Sequence, residues 1–167
     1  TPVIAMAKTS QATMEGIQDY TATFTKRERF GNSVVKTTMQ MKYRTQPTSV
    51  YLKFTDMNAG REVIYVDGRN KGNILVHEDG IKSIVGTLHF APNADEVMKE
   101  NHYPVNRIGM GNMLSTIIVQ WEQELKHDGV EVKYYPNGKI GDIECKVLEA
   151  VHAEQKAHYK FHKTVLY

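Results

Sequence analysis

Seven histidines are the residues of this chain with the most evident capacity for chemistry. His152, His158 and His162 lie close together, and His158 and His162 share one side of an alternating segment with Lys160 between them. Zinc needs neutral imidazoles, further ligands and no intervening cation, so this spacing reads as a solvated polar strand face. His77-Glu78 lacks the second histidine of a zincin helix. The loop Asp67 to Glu78 has Gly72 sixth and Glu78 twelfth, as a calcium loop would. It also puts Arg69 and Lys71 where oxygen ligands belong, which argues against calcium. His102 could act with a nearby carboxylate, but no orienting partner stands at a readable spacing. Neither a Walker loop nor a nucleophile elbow is present. Gly109-Met110-Gly111 opens a helix whose N-terminus could hold an anion, although tight backbone packing explains these glycines without a ligand. The expectation is a non-enzymatic protein with no metal and no cofactor.

Two further groups of residues could bind rather than react. Arg27, Arg29, Lys36 and Lys42, with Lys26 and Arg44 nearby, form a basic strip that could meet phosphate or lipid headgroups. Glu28 and Glu62 dilute it, and edge lysines also discourage sheet aggregation. Eight methionines are present. Met39 and Met41 fall on the inner side of a strand, and Met98, Met110 and Met113 on helical sequence. Flexible, polarizable side chains suit a cavity for apolar ligands, and they equally serve as filler in an ordinary core.

The elements that must position these groups fit a chain of 167 residues, with 41% hydrophobic and 24% charged residues. That is globular composition and enough chain for a real core. Lys and Arg number 21 against 19 Asp and Glu, a formal charge of +2 that does not call for nucleic acid. The lone Cys145 excludes an internal disulfide framework. No apolar stretch approaches the ~20 residues that span a bilayer. The start at Thr1, without initiator Met or signal peptide, points to a processed or trimmed product.

Val3 to Ile17 reads as a short amphipathic helix ended by Gly16. From Asp19 the period becomes two. A two-residue turn at Gly31-Asn32 pairs Phe30 with Ser33, and therefore Phe24 with Met39, Ala22 with Met41 and Tyr20 with Tyr43. Val50 to Phe54, Arg61 to Val66, Asn73 to His77 and Ile84 to Phe90 read as four more strands. Asn93 reads as the N-cap of a short helix that stops before Pro104. The clearest helix runs from Gly109 to Asp128, with Met110, Met113, Leu114, Ile117, Trp121 and Leu125 as its apolar stripe. Thr116, Gln120, Gln123 and Glu124 lie away from that stripe. Val130 to Tyr135, a turn at Pro136-Asn137-Gly138, and Ile143 to Val151 read as a second hairpin. A last strand reaches Tyr167 and should leave an open sheet edge there. The class is α+β on an antiparallel sheet.

Several stretches carry a resemblance. They are Tyr20-Thr-Ala-Thr-Phe24 with Lys26-Arg27-Glu28-Arg29, Ser49 to Phe54, Gly60 to Val66 with Gly68 and Asn70, Gly86-Thr87-Leu88, Asn101 to Val105, and Ile108 to Asn112. Together they resemble an uncharacterised bacterial family of exported domains of unknown function. The strand order is similar to that of the outer-membrane lipoprotein carriers of the LolA and LolB type. That resemblance implies a single LolA-like domain over residues 1–167, lacking its last strands. Its sheet would be long and curved, an unclosed β-barrel, with an N-terminal helix and a helical insertion lidding the concave face. It also implies a periplasmic or otherwise exported setting. In that fold an arginine on the sheet helps hold the lid, and Arg61 or Arg44 could correspond.

The expected function is binding of a lipid or other hydrophobic ligand in the cell envelope, with peripheral membrane contact or lipoprotein carriage as its setting. Tyr20, Phe24, Met39, Met41, Tyr43, Leu52 and Phe54 would form the binding wall. Met110, Met113, Leu114, Ile117 and Trp121 would cover it. The rival is a structural or protein-interaction domain of the envelope, with an envelope protein as partner and a core filled by its own side chains.

Overall fold

Period-two segments form strands and period-3.6 segments form helices in the computed structural model, which describes residues 2–127, 129–154, 156 and 159–167. In chain order the elements are α1 (Pro2–Glu15), β1 (Asp19–Phe30), β2 (Ser33–Arg44), β3 (Ser49–Phe54), β4 (Glu62–Val66), β5 (Ile74–His77) and β6 (Thr87–Phe90). They continue with α2 (Asp95–Met98), α3 (Met110–Glu124), β7 (Val130–Ile140), β8 (Ile143–His152) and β9 (Lys163–Leu166). The chain divides into two compact units, Gly16–Gly109 and Thr1–Glu15 with Met110–Tyr167. The result is a mixed α+β fold with a large antiparallel sheet that does not close into a barrel.

Residues Gly16–Gly109 build a six-stranded sheet in sequence order, β1 to β6. The expected register holds: Phe30 pairs with Ser33, Phe24 with Met39, Ala22 with Met41 and Tyr20 with Tyr43. Gly31 takes φ +57° in the turn, which is why a glycine opens it. The pairing carries across the sheet, so Ala22, Met41, Leu52, Val63, Val76 and Leu88 make one cross-strand row. With Met39, Tyr43, Val50, Tyr65 and Ile74 this inner face forms a buried cluster. Segment 91–109 crosses that face, and its Val97, Val105 and Ile108 pack against it. Where the segment ends, a Cβ on Gly109 (φ +130°) would stand 2.6 Å from the Tyr43 ring. Close approach to that ring is what the glycine serves.

Several boundaries differ from expectation. The sixth strand begins at Thr87, because residues Gly80–Val85 form a 3-10 turn and Gly86 takes φ +75°. The N-cap of α2 is Ala94, with no side-chain cap, since Ala91 to Ala94 close a turn first. The Asp128 end expected for α3 lies outside the described residues, and the helix closes at Glu124.

In the other unit the second hairpin turns at Gly141-Asp142, not at Pro136-Asn137-Gly138. Those three residues stay in β7 as a bulge between Tyr135 and Gly138. Proline has no N–H to give the ladder, and a bulge is one of the few strand sites that tolerate it. A Cβ on Gly138 would meet Val147 at 2.2 Å, so only glycine fits there. Strand β9 pairs with β8 on one side and is an edge of the three-stranded sheet β7-β8-β9. Helices α1 and α3 pack together, and Val3, Ala7, Ile118, Trp121, Leu148 and Ala150 form their core with β8.

Two polar side chains, Glu124 and His152, are buried in this unit. Glu124, expected on the solvent side of α3, is only 3% exposed. Its Oε2 lies 3.1 Å from His152 Nε2 on β8, and Gln120 Nε2 donates to its Oε1 at 2.7 Å. The His152 ring stacks on Tyr159, with centroids 3.7 Å apart. His152→Leu therefore removes one partner of the buried Glu124 side chain, leaving Gln120, and should cost about 1–3 kcal/mol in urea unfolding. The double variant His152→Leu/Glu124→Leu should recover most of that loss, a coupling read directly from the double-mutant cycle.

Candidate functional site

Period two places Lys26 and Glu28 on the same side of β1 as Phe24 and Phe30, so the inner face changes from apolar to charged along this strand. The charges there are consumed locally. Lys26 Nζ donates to Glu28 Oε2 at 2.7 Å, to the Glu100 carbonyl at 2.7 Å and to the Asn101 side-chain oxygen. Glu28 Oε1 accepts from the His102 backbone N–H at 3.0 Å. The His102 ring stacks on Phe30 and meets the Arg29 carbonyl at 2.8 Å. His102, which could have served a catalytic dyad, thus helps fasten the crossing segment to β1. Burial works against a charged Glu28, but the Lys26 ammonium and the His102 N–H outweigh it and hold its carboxyl below the usual range.

A second anchor lies on β4's approach. Arg61 Nε is 2.7 Å from Glu78 Oε1, and Arg61 Nη1 donates to Glu100 Oε2 at 2.9 Å. Burial opposes the guanidinium's charge, yet these two carboxylates raise its pKa further above its ordinary value. The guanidinium also lies 5.5 Å from the Phe54 ring centroid. Of the two arginines singled out from sequence, Arg61 reaches the crossing segment, while Arg44 donates to Ser49 at the sheet margin.

Between these anchors, the sheet and the crossing segment leave a cavity of about 400 Å³. Every lining residue belongs to Gly16–Gly109. Its floor is the inner face of β3 to β6, Leu52, Phe54, Val63, Ile74, Val76, Leu88 and Phe90, continued by Phe30, Val35 and Thr37 of β1 and β2. Val97, Tyr103, Val105 and Ile108 close it from the segment side. Lys26, Arg61 and Lys99 stand at its edge against Glu78, Glu96 and Glu100, three cations and three carboxylates, so the lining is electrically balanced.

Of the expected wall, Leu52 and Phe54 line this cavity. Tyr20, Phe24, Met39, Met41 and Tyr43 lie on the same face outside this cavity; Met39, Met41 and Tyr43 are buried, Tyr20 and Phe24 half-buried, and Tyr20 and Tyr43 line a second hollow of about 340 Å³ at the sheet margin. Tyr20 and Tyr43 stack at 5.0 Å, and burial pushes the Tyr43 hydroxyl's pKa up. The expected covering residues belong to the other unit. Leu114 and Trp121 are buried there, Ile117 is half-buried against its core, and Met110 and Met113 are exposed. Sequence reasoning missed the β4 to β6 floor and the segment 97–108. The alternation Val63-Tyr65 and Ile74-Val76, carried along the β3 register, was the available signal. The basic residues Arg27, Arg29, Lys36 and Lys42 lie exposed on the outer face. Among the described residues no cluster of three or more His, Cys, Asp or Glu could hold a metal ion, and His158 lies outside them.

The Glu28 clamp predicts how the segment opens. Because its folded pKa is depressed, its stabilisation is fully present above the ordinary value of 4.5 and lost as pH falls through the folded value. Amide protection over residues 97–105, taken relative to the intrinsic exchange rate at each pH, should fall on acidification through that window. Glu28→Gln should raise exchange about tenfold at neutral pH and flatten the pH response, as loss of one partly exposed charge-assisted bond implies. Hydrogen-exchange mass spectrometry measures both.

No helix among the described residues is long and apolar enough to cross a membrane. No curated protein and no solved structure matches the chain. One family model matches residues 17–167, and its description is a protein of unknown function, DUF1571. The match covers both the cavity-bearing sheet and the β7 to β9 hairpins, and on it the chain belongs to the DUF1571 family.

Proposed function

We propose that the protein is a non-enzymatic binder of a single, uncharged acyl chain or comparable hydrophobe, held between the six-stranded sheet and segment 91–109. The observation that carries this reading is the cavity of about 400 Å³ with an apolar floor. That size lies within the ~300–1,000 Å³ of small-molecule sites. Lys26 and Arg61 at its edge already face carboxylates, so a ligand bringing its own negative charge would have to compete with those carboxylates for them. Each methylene taken from water contributes about 0.8 kcal/mol, so ten give roughly 8 kcal/mol before ordering costs. Micromolar affinity is a reasonable scale.

The likeness to lipoprotein carriers supplies the setting we propose, the bacterial envelope, and an unclosed half-barrel with a lid as the working description of the fold. Segment 91–109 is the lid in this reading. Carriage of a lipid to an envelope partner is the role such a site would serve. The rival reading, a structural domain with a self-filled core, is favoured by the close packing around Met39, Met41 and Val50.

Calorimetric titration with dodecanol and with lauric acid decides between them. Saturable one-site binding of dodecanol, at least as tight as laurate, with a negative heat-capacity change is expected. Leu88→Trp, at a half-buried lining position, should weaken it tenfold or more with little change in melting temperature. A folded protein that takes up neither probe would establish the filled core instead.

A further inference from the structure

The two most exposed large apolar side chains among the described residues, Ile81 and Ile84, lie three residues apart, and Val85 directly follows them. Ile81 is 87% exposed, Ile84 84% and Val85 69%, all on the turn between β5 and β6. Isolated apolar residues are common on protein surfaces, but a cluster this exposed is not. The turn is a built structure. Asp79 accepts from Gly80 N at 2.7 Å, Ser83 Oγ donates to the Gly80 carbonyl at 2.7 Å, and Gly86 N donates to the Ser83 carbonyl at 2.9 Å. In a 3-10 turn residues three apart eclipse, which puts Ile81 and Ile84 on one side. Gly80 and Gly86 take φ +65° and +75°, and a Cβ added at either would touch nothing. The turn therefore stands clear of the protein at both ends.

We infer that this turn is a bilayer-docking tip that inserts Ile81, Ile84 and Val85 among lipid headgroups and upper acyl chains. Charge favours that occupant. Lys82 is the sole ionisable residue from Gly80 to Gly86, and a single cation suits a phosphate-bearing surface. The Asp79 carboxylate is turned inward against Gly60, and the Ser83 hydroxyl is spent within the turn, so neither competes at the tip. Area argues against a protein partner or a second copy. Three such side chains offer roughly 200–350 Å², against ~800 Å² per partner in a stable protein interface.

The tip adjoins the cavity. Glu78, one residue before Asp79, lines it, as do Met57 and Asn58 of the turn that carries Gly60. Docking there would present the cavity's edge to the membrane surface, a consequence that rests on the proposed acyl-chain function; the docking itself does not.

Co-flotation of the full chain with phosphatidylcholine vesicles, and with vesicles containing 30% phosphatidylglycerol, tests the inference. Wild-type protein should float with both, more strongly with the anionic vesicles. The triple variant Ile81→Ser/Ile84→Ser/Val85→Ser should lose tenfold or more of the binding, at unchanged melting temperature and unchanged dodecanol affinity. Lys82→Ser should remove only the preference for anionic vesicles. Wild-type protein that does not float, or a triple variant that floats equally well, overturns the inference. So does a wild-type dimer in light scattering that the triple variant abolishes, which would assign the tip to a second copy. Dodecanol binding without flotation would leave the cavity reading standing while this one falls.

Discussion

Register in the first hairpin decides which side chains of six successive strands share a face. Each antiparallel pairing transmits the choice to the next strand, so Ala22 opposite Met41 leads to Leu52, Val63, Val76 and Leu88 in one row. A slip of one residue would turn Thr23, Lys42 and Lys53 inward and leave segment 91–109 nothing apolar to cover. The two-residue turn at Gly31-Asn32 therefore governs structure far along the chain. The cavity depends on it, and so do the Lys26 and Glu28 positions that hold the crossing segment.

That first register was legible because the alternation is clean and the turn is short, two local features that agree. The second hairpin carried two competing turn signals. Pro136-Asn137-Gly138 has the stronger turn chemistry, yet the ladder runs through it as a bulge and turns at Gly141-Asp142. Residues apolar on both sides misled in the same way at Ile84 and Val85, which read as strand until Gly86 interrupts. Glu124 shows a different limit. Its polarity places it on the outside of α3, and Gln120 one turn earlier together with a histidine on β8, distant in sequence, makes its burial tolerable.

The candidate site was legible only in part for a related reason. Alternation identifies a face, but not how much of that face another segment fills. Tyr20, Phe24, Met39, Met41 and Tyr43 belong to the inner face as expected, and the chain's own packing covers them. The space lies toward the end of the sheet that carries the Gly31-Asn32 turn, where Phe30, Val35 and Thr37 line it together with β3 to β6. Its volume depends on the path of residues 91–109, which no periodicity specifies.

The methionines follow the same division. Met39 and Met41 lie in the close-packed half, where an unbranched side chain fills irregular gaps between Phe24, Leu52 and Phe54. The open half is floored by Val63, Ile74, Val76 and Leu88, mostly branched and restricted in rotamer. These floor side chains are too stiff to swing into the adjoining space, and the methionine of the lining, Met57, belongs to the turn after β3 rather than to the floor. Under the proposed reading, an apolar guest entering a cavity with such a floor would lose less to side-chain ordering. The floor and the methionine-filled part of the sheet thus differ in side-chain mechanics while sharing Leu52 and Phe54, and the stiff floor is what supports the proposed reading of the space as a site.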